Sequence, residues 1–219
     1  MIECKQSVGG GCVERKDNYL LQAQQAKQHF LTYNQKLLAD KLGAEMDEQF
    51  LYVRFLNDSY RIHRQTVDIR RLVQDVWMDA NSYEEVMTLL DLVCDSRTDR
   101  RLSGRWRSMS DFGLQFHQNL LEEKKDALAD RIDRTPEFYK SACMALGGKP
   151  VSNCDIGYAF ELFDGLEICV QFWHGDEEFY PRIRFLWDEN ALQYLRYETM
   201  YFAVGLLRGR LREYMDAMN

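Results

Sequence analysis

With 219 residues, 46% hydrophobic and 29% charged, the chain is long enough for a sizeable core and too apolar to be disordered. Its net charge of −7 disfavours nonspecific binding to nucleic acid, where clustered Lys and Arg supply most of the affinity. No apolar run approaches the ~18–20 residues of a membrane-spanning helix, and the first twelve residues hold no apolar core of a secretory signal, so a cytoplasmic protein bound to neither membrane nor nucleic acid is expected.

Residues 1–18 read as a flexible N-terminus and 19–219 as one domain, because only 3 prolines and 13 glycines are present and none builds a linker. From Tyr19 to Lys41 the spacing of Ala26, Phe30, Tyr33 and Leu37 predicts one helix, closed by Gly43 as its left-handed C-cap. Gln49–Leu56 and Ser59–Arg64 alternate apolar and polar residues about Asn57-Asp58, a β-hairpin. Ser82 and Glu85 form a capping box ahead of the apolar stripe Val86, Leu89, Leu90 and Val93, so a helix starts there. Asp95–Gly113 reads as an arginine-rich loop, and Leu114–Ile132 as a polar surface helix. Thr135-Pro136 starts another helix, which ends at Gly147-Gly148.

Two alternating runs then flank Asp164-Gly165, which supplies the positive-φ pair of a type I′ turn. Ile156, Tyr158, Phe160 and Leu162 precede it; Leu166, Ile168, Val170 and Phe172 follow. A third strand spans about Arg182–Trp187. The C-terminus is helical after a break near Arg196–Glu198, with Tyr201, Val204, Leu207, Leu211 and Met215 inward. The expected class is α+β: an antiparallel sheet built from the N-terminal hairpin and a C-terminal three-stranded meander, packed with several helices.

The six cysteines, Cys4, Cys12, Cys94, Cys143, Cys154 and Cys169, include no CxxC pair. Without an export signal they read as reduced thiols, mostly buried as small apolar side chains.

Three stretches carry a family likeness: Leu38–Ala44 with the hairpin around Phe55–Tyr60; Ser103-Gly104-Arg105-Trp106; and Trp173-His174-Gly175-Asp176-Glu177-Glu178-Phe179, continued by Phe185-Leu186-Trp187-Asp188, Tyr194-Leu195 and Glu198. On these motifs the chain resembles a bacterial and archaeal family catalogued as domain of unknown function 3786, over roughly residues 20 to 215. The resemblance implies a fold and no activity.

The candidate chemistry gathers just past the second run. Asp176 and Glu178 would share a strand face, and His174 is near in sequence; paired carboxylates can divide acid and base roles or hold a hard cation. The same residues also suit a solvated turn whose carboxylates accept backbone amides. Trp173 and Trp187, with Phe179 and Tyr180, suit a cavity for a flat or apolar ligand. In the arginine loop, Arg105 and its neighbours fit oxyanions, and Trp106 offers a stacking face or a core anchor.

No phosphate loop, dinucleotide fingerprint, nucleophile elbow or HExxH occurs. The reading favoured is a non-catalytic ligand-binding or accessory protein with its cavity between the C-terminal sheet and neighbouring helices. Candidate ligand residues are Trp173, His174, Asp176, Glu178, Trp187, Trp106 and Arg105, with no metal site assigned and the cofactor unknown. Two rivals are a metal-assisted or acid/base enzyme using Asp176, Glu178 and His174, and a protein-interaction module working through the arginine-rich loop. The partner class is a small molecule or a protein.

Overall fold

The computed structural model describes the backbone of residues 10–113 and 125–218, with side chains from Asn18. The fold is α+β. Among the described residues there are helices α1 (Gly10–Thr32), α2 (Gln35–Leu42), α3 (Tyr83–Asp95), α4 (Ala127–Arg134), α5 (Pro136–Ala145) and α6 (Tyr197–Asp216). The strands are β1 (Phe50–Phe55), β2 (Asp58–His63), β3 (Ile69–Val73), β4 (Val76–Asp79), β5 (Trp106–Ser108), β6 (Lys149–Pro150), β7 (Ile156–Phe163), β8 (Leu166–Trp173) and β9 (Arg182–Asp188).

The strands build two antiparallel sheets, not the single one expected: a four-stranded meander β1-β2-β3-β4 and a five-stranded sheet in the order β5-β9-β8-β7-β6. They meet where the Leu56 amide donates to the Leu162 carbonyl at 3.0 Å. That amide is available because Leu56 and Asn57, not Asn57-Asp58, make the first turn, both at positive φ. A leucine there is unfavourable by sterics alone; burial of its side chain offsets the cost.

The predicted first helix is two. It begins earlier, within the stretch read as flexible, and breaks at Asn34, whose side chain accepts from the Lys36 and Leu37 amides and caps α2. The break turns the helix face, so Leu38 is buried and Leu37 is 64% exposed. Gly43 caps α2 in the left-handed region as expected.

The hairpin β3-β4 is absent from the sequence reading. Gln74 and Asp75 turn it with positive φ, but Arg70 and Arg71 interrupt the apolar alternation that would have signalled strands. The predicted loop likewise holds the short strand β5, laid against β9.

Ser82 caps α3 as predicted, and the Ser82 hydroxyl, rather than its amide, donates back to the Glu85 carboxylate at 2.8 Å. Of the helix expected over Leu114–Ile132, residues 114–124 lie outside the described ones; α4 follows Asp126, which caps it through the Leu128 and Ala129 amides. It is not a plain surface helix: Leu128, Ala129 and Ile132 are buried. Pro136 opens α5 as predicted.

Asp164 and Gly165 turn the β7-β8 hairpin at positive φ, as the sequence implied. Helices cover the inner face of the five-stranded sheet; Tyr139 of α5 lies 6.3 Å from the Tyr158 ring and 6.4 Å from that of Phe172. The inner face of the four-stranded sheet carries Leu51, Val53, Tyr60, Ile62 and Ile69, all buried. Its outer face carries Phe50, Tyr52, Arg61, His63, Leu72 and Trp77, all partly exposed.

Among the described residues no helix is long and apolar enough to cross a membrane. Cys94, Cys143, Cys154 and Cys169 are free thiols. Burial pushes Cys94 up to about 12 and Cys169 to about 11, which leaves them as thiols rather than thiolates. Cys4 and the Cys12 side chain lie outside the described residues.

Candidate functional site

The predicted site residues fall into two groups at opposite ends of β9. Trp173 stands opposite Arg182, and Ile168 opposite Trp187. Five residues of β8 therefore part the two tryptophans, about 17 Å at the rise of a strand.

At the first end, the β8-β9 connection is a tight loop. The Asp176 carboxylate accepts from the Glu178 amide at 2.8 Å and the Phe179 amide at 2.7 Å, while the Asp176 amide donates to the Phe179 carbonyl at 2.9 Å. Gly175 is required there, because a Cβ would come within 2.8 Å of Pro181. The His174 amide donates to Asp155 at 2.8 Å, and its Nδ1 meets the Asp133 carboxylate of α4 at 2.7 Å. So His174 turns to α4, Asp176 to its own loop, and the exposed Glu178 joins neither. The Trp173 ring carries the Arg182 guanidinium at 5.4 Å.

At the other end, Asp188 organises the arginine loop. Its carboxylate accepts from the Ser103 amide at 3.0 Å, and from the Gly104 and Asn190 amides at 2.8 Å each. Burial would raise its pKa, but those amides outweigh burial and hold the carboxyl below its usual range. Trp106 and Asp188 are paired across the two strands, and Trp106 is 39% exposed. Arg105 and Arg107 both pair with Glu189, Arg107 at 2.7 Å. Arg100 pairs with Asp164, its Nε donating at 2.7 Å, and Arg97 pairs with Asp99. Trp187 is fully buried in the core, with its indole N–H unpartnered.

Two of the three likeness motifs are therefore one structural unit, Ser103–Trp106 bonded to Asp188. A family model described as a domain of unknown function (DUF3786) matches residues 35–210. The chain belongs to the DUF3786 family. No curated protein and no solved structure matches it. Within this DUF3786 chain, no three His, Cys, Asp or Glu side chains among the described residues are grouped to hold a metal ion.

Two features escaped the sequence reading. One is a buried ionic network behind the four-stranded sheet. Arg210 donates to the Tyr60 hydroxyl at 2.9 Å, to Glu85 at 3.2 Å and to Glu213 at 3.2 Å. Burial pushes the Tyr60 hydroxyl well above its usual range. A cleft of about 340 Å³ opens beside the network, between α3 and the Gly205–Gly209 face of α6.

The other is a cleft of about 470 Å³ between the two sheets. Tyr52, Leu72 and Trp77 wall it on one side, and Glu161, Phe163 and Asp164 at the β7-β8 turn wall it on the other. This cleft lies between sheets rather than between the C-terminal sheet and helices, where a cavity was expected. The signal that could have found it was the alternation of Phe50 with Tyr52 and of Leu72 with the Trp77 strand, which leaves large rings on the solvent face.

Proposed function

We propose that this protein is a non-catalytic binding protein whose ligand lies in the cleft between the two sheets. One observation carries the reading. The aromatic side chains of Tyr52 and Trp77 form one wall, their rings 6.4 Å apart, and polar groups stand opposite at the hairpin turn. Ligand sites typically combine such an apolar wall with a few polar groups in a volume of ~300–1,000 Å³.

The rival enzyme at Asp176, Glu178 and His174 lacks comparable support, since Asp176 and His174 are engaged by different partners. The interaction module through the arginine loop has its arginines at 97, 100, 105 and 107 already paired with carboxylates.

A panel of ring compounds screened by thermal shift tests the reading. A ligand binding only the native state raises the melting temperature, by an amount that grows with its concentration over Kd. The rise should vanish in Trp77→Ala and survive in Trp106→Phe. A ligand whose effect survives Trp77→Ala and is lost in His174→Ala or Glu178→Gln would move the site to the β8-β9 loop.

A further inference from the structure

We infer that β4 is a docking edge for a second copy of this chain, and that two copies join their four-stranded sheets antiparallel across a two-fold axis at Met78. The inference is independent of the cleft reading above.

The sheet edges of this fold are not finished alike. A free edge is a row of unpaired amides and carbonyls that invites another strand. At the β1 edge those groups are taken: the Tyr52 amide donates to the Glu45 carbonyl at 2.9 Å, the Asp47 amide to the Phe50 carbonyl at 3.0 Å, and the Leu56 amide to Leu162. In the five-stranded sheet, the edge strand β6 has 2 residues, one of them Pro150, and β5 has 3, one of them Arg107. Strand β4 has 4 residues, Val76-Trp77-Met78-Asp79, with no proline, no basic residue and no bulge. Its one charged side chain is turned aside, since the Asn81 side chain donates to the Asp79 carboxylate at 2.8 Å.

The ladder fixes which groups face outward. Val73 and Val76 flank the tight turn at Gln74-Asp75, and such a turn is closed by a hydrogen-bonded pair. At the other end the Ala80 amide donates to the Ile69 carbonyl at 3.1 Å. Bonded and non-bonded pairs alternate along an antiparallel ladder, so Val76, Met78 and Ala80 turn their amides and carbonyls to β3. Trp77 and Asp79 turn theirs away. Among the described residues nothing bonds to those outward groups.

The side chains add an apolar surface to this edge. Val76 and Met78 share the face of Val53 and Tyr60, yet they are 57% and 51% exposed, because the cover on that face does not reach them. Exposed apolar side chains beside an unpaired backbone suit an added strand.

The strand suits its own copy. With the axis at Met78, Trp77 stands opposite Asp79 of the second copy, and each such pair exchanges both backbone hydrogen bonds. Every outward group of Trp77 and Asp79 is then satisfied, in both copies. Met78 meets Met78 of the second copy on the apolar face. No like charges face each other, since each Asp79 lies across from a tryptophan. An axis at Trp77 would instead set Asp79 against Asp75 of the second copy, which charge repulsion disfavours. A two-fold contact of one patch with itself is the commonest form of self-association.

Sedimentation of the full chain over a range of concentrations tests this. The mass should rise from that of one chain to that of two. Trp77→Pro removes an outward amide and leaves the β3 ladder whole, whereas Trp77→Thr loses the ring and keeps the amide. The dissociation constant should rise at least about tenfold in Trp77→Pro and in Met78→Lys, which sets two charges on the axis, and stay within about threefold of the parent in Trp77→Thr. Met78 is half exposed, so Met78→Lys reports even if Trp77→Pro does not fold. Under mild oxidation Met78→Cys should give a disulfide that joins position 78 of the two copies, since Cα atoms of a facing non-bonded pair lie about 4.5 Å apart, within disulfide reach. Trp77→Cys should give none, its counterpart being Asp79. The mass of one chain at every concentration overturns the inference and leaves the edge to a foreign strand. So does a dimer unmoved by Met78→Lys, or one that cross-links through Trp77→Cys and not through Met78→Cys.

Discussion

Arg210 and the Nε of Arg61 are withdrawn from water on opposite faces of the same sheet, and the two side chains are answered in opposite ways. Arg210 is enclosed by oxygens: Tyr60, Glu85 and Glu213 accept from it, and Asp58 lies 3.8 Å away. Arg61 is enclosed by rings. A charge matched by several oxygens on separate elements becomes part of the fold, since removing it strands every partner. A charge stacked on rings is anchored without being neutralised. Pairing thus separates a cation that holds elements together from one held by ring contacts alone.

The sharpest test of that difference is Arg210→Met. Breaking a buried ion pair from one side typically costs about 3–5 kcal/mol, because the remaining charges are left without a partner. Denaturant unfolding should show a loss of that order. A loss below about 1 kcal/mol would mean that Glu85, Asp58 and Glu213 do not depend on Arg210.

Asp188 is the acidic counterpart, a carboxylate answered by backbone amides. Asp188→Ala should cost about 1.5–3 kcal/mol, the range of hydrogen bonds to a charged group. Its pH dependence has a definite sign. The folded carboxyl titrates below its unfolded value, so the stabilisation is fully present above about pH 4 and is lost as pH falls through the depressed folded value. Asp188→Asn should therefore flatten the acid limb of the melting-temperature profile. Asp91 runs the other way: burial raises its pKa, so its ionisation opposes folding as pH rises. A profile for Asp188→Asn that overlays the parent would show that the amides do not stabilise the charge.

The smallest effect belongs to Arg61→Met. With no oxygen partner to strand, the change removes stacking alone, about 0.5–2 kcal/mol at partly exposed sites. If it cost as much as Arg210→Met, Arg61 would be a structural residue and the contrast between the two arginines would collapse.

Much of the fold was legible. Asp164-Gly165, Ser82 before its apolar stripe, and Pro136 each state their geometry through local sterics or local hydrogen bonds, and each was found where expected. The β3-β4 hairpin was not, because Arg70, Arg71 and Asp79 look like loop residues until the sheet gives them a solvent face. Trp187 read as a cavity aromatic, yet the arrival of helices over β9 makes it core. The candidate site was legible as a motif and not as a place. Trp173 and Trp187 are close in sequence, but each sits at one end of a strand pair. Arg61 and Arg210 gave no signal at all: periodicity carries no information on whether an arginine will meet a ring or a carboxylate far along the chain.

The Arg210 contacts have a consequence for the order of assembly during synthesis. Tyr60 and Glu85 leave the ribosome long before the residue that completes their network, 150 and 125 positions later. Until then the buried faces of β2 and α3 lack part of their cover, since Met200, Ala203, Val204, Leu207 and Leu211 of α6 lie against that same core. At about 5–20 residues per second the wait lasts on the order of ten seconds. For that interval the nascent chain presents an unpaired acid and an apolar surface together, a combination suited to holding by a chaperone on the ribosome.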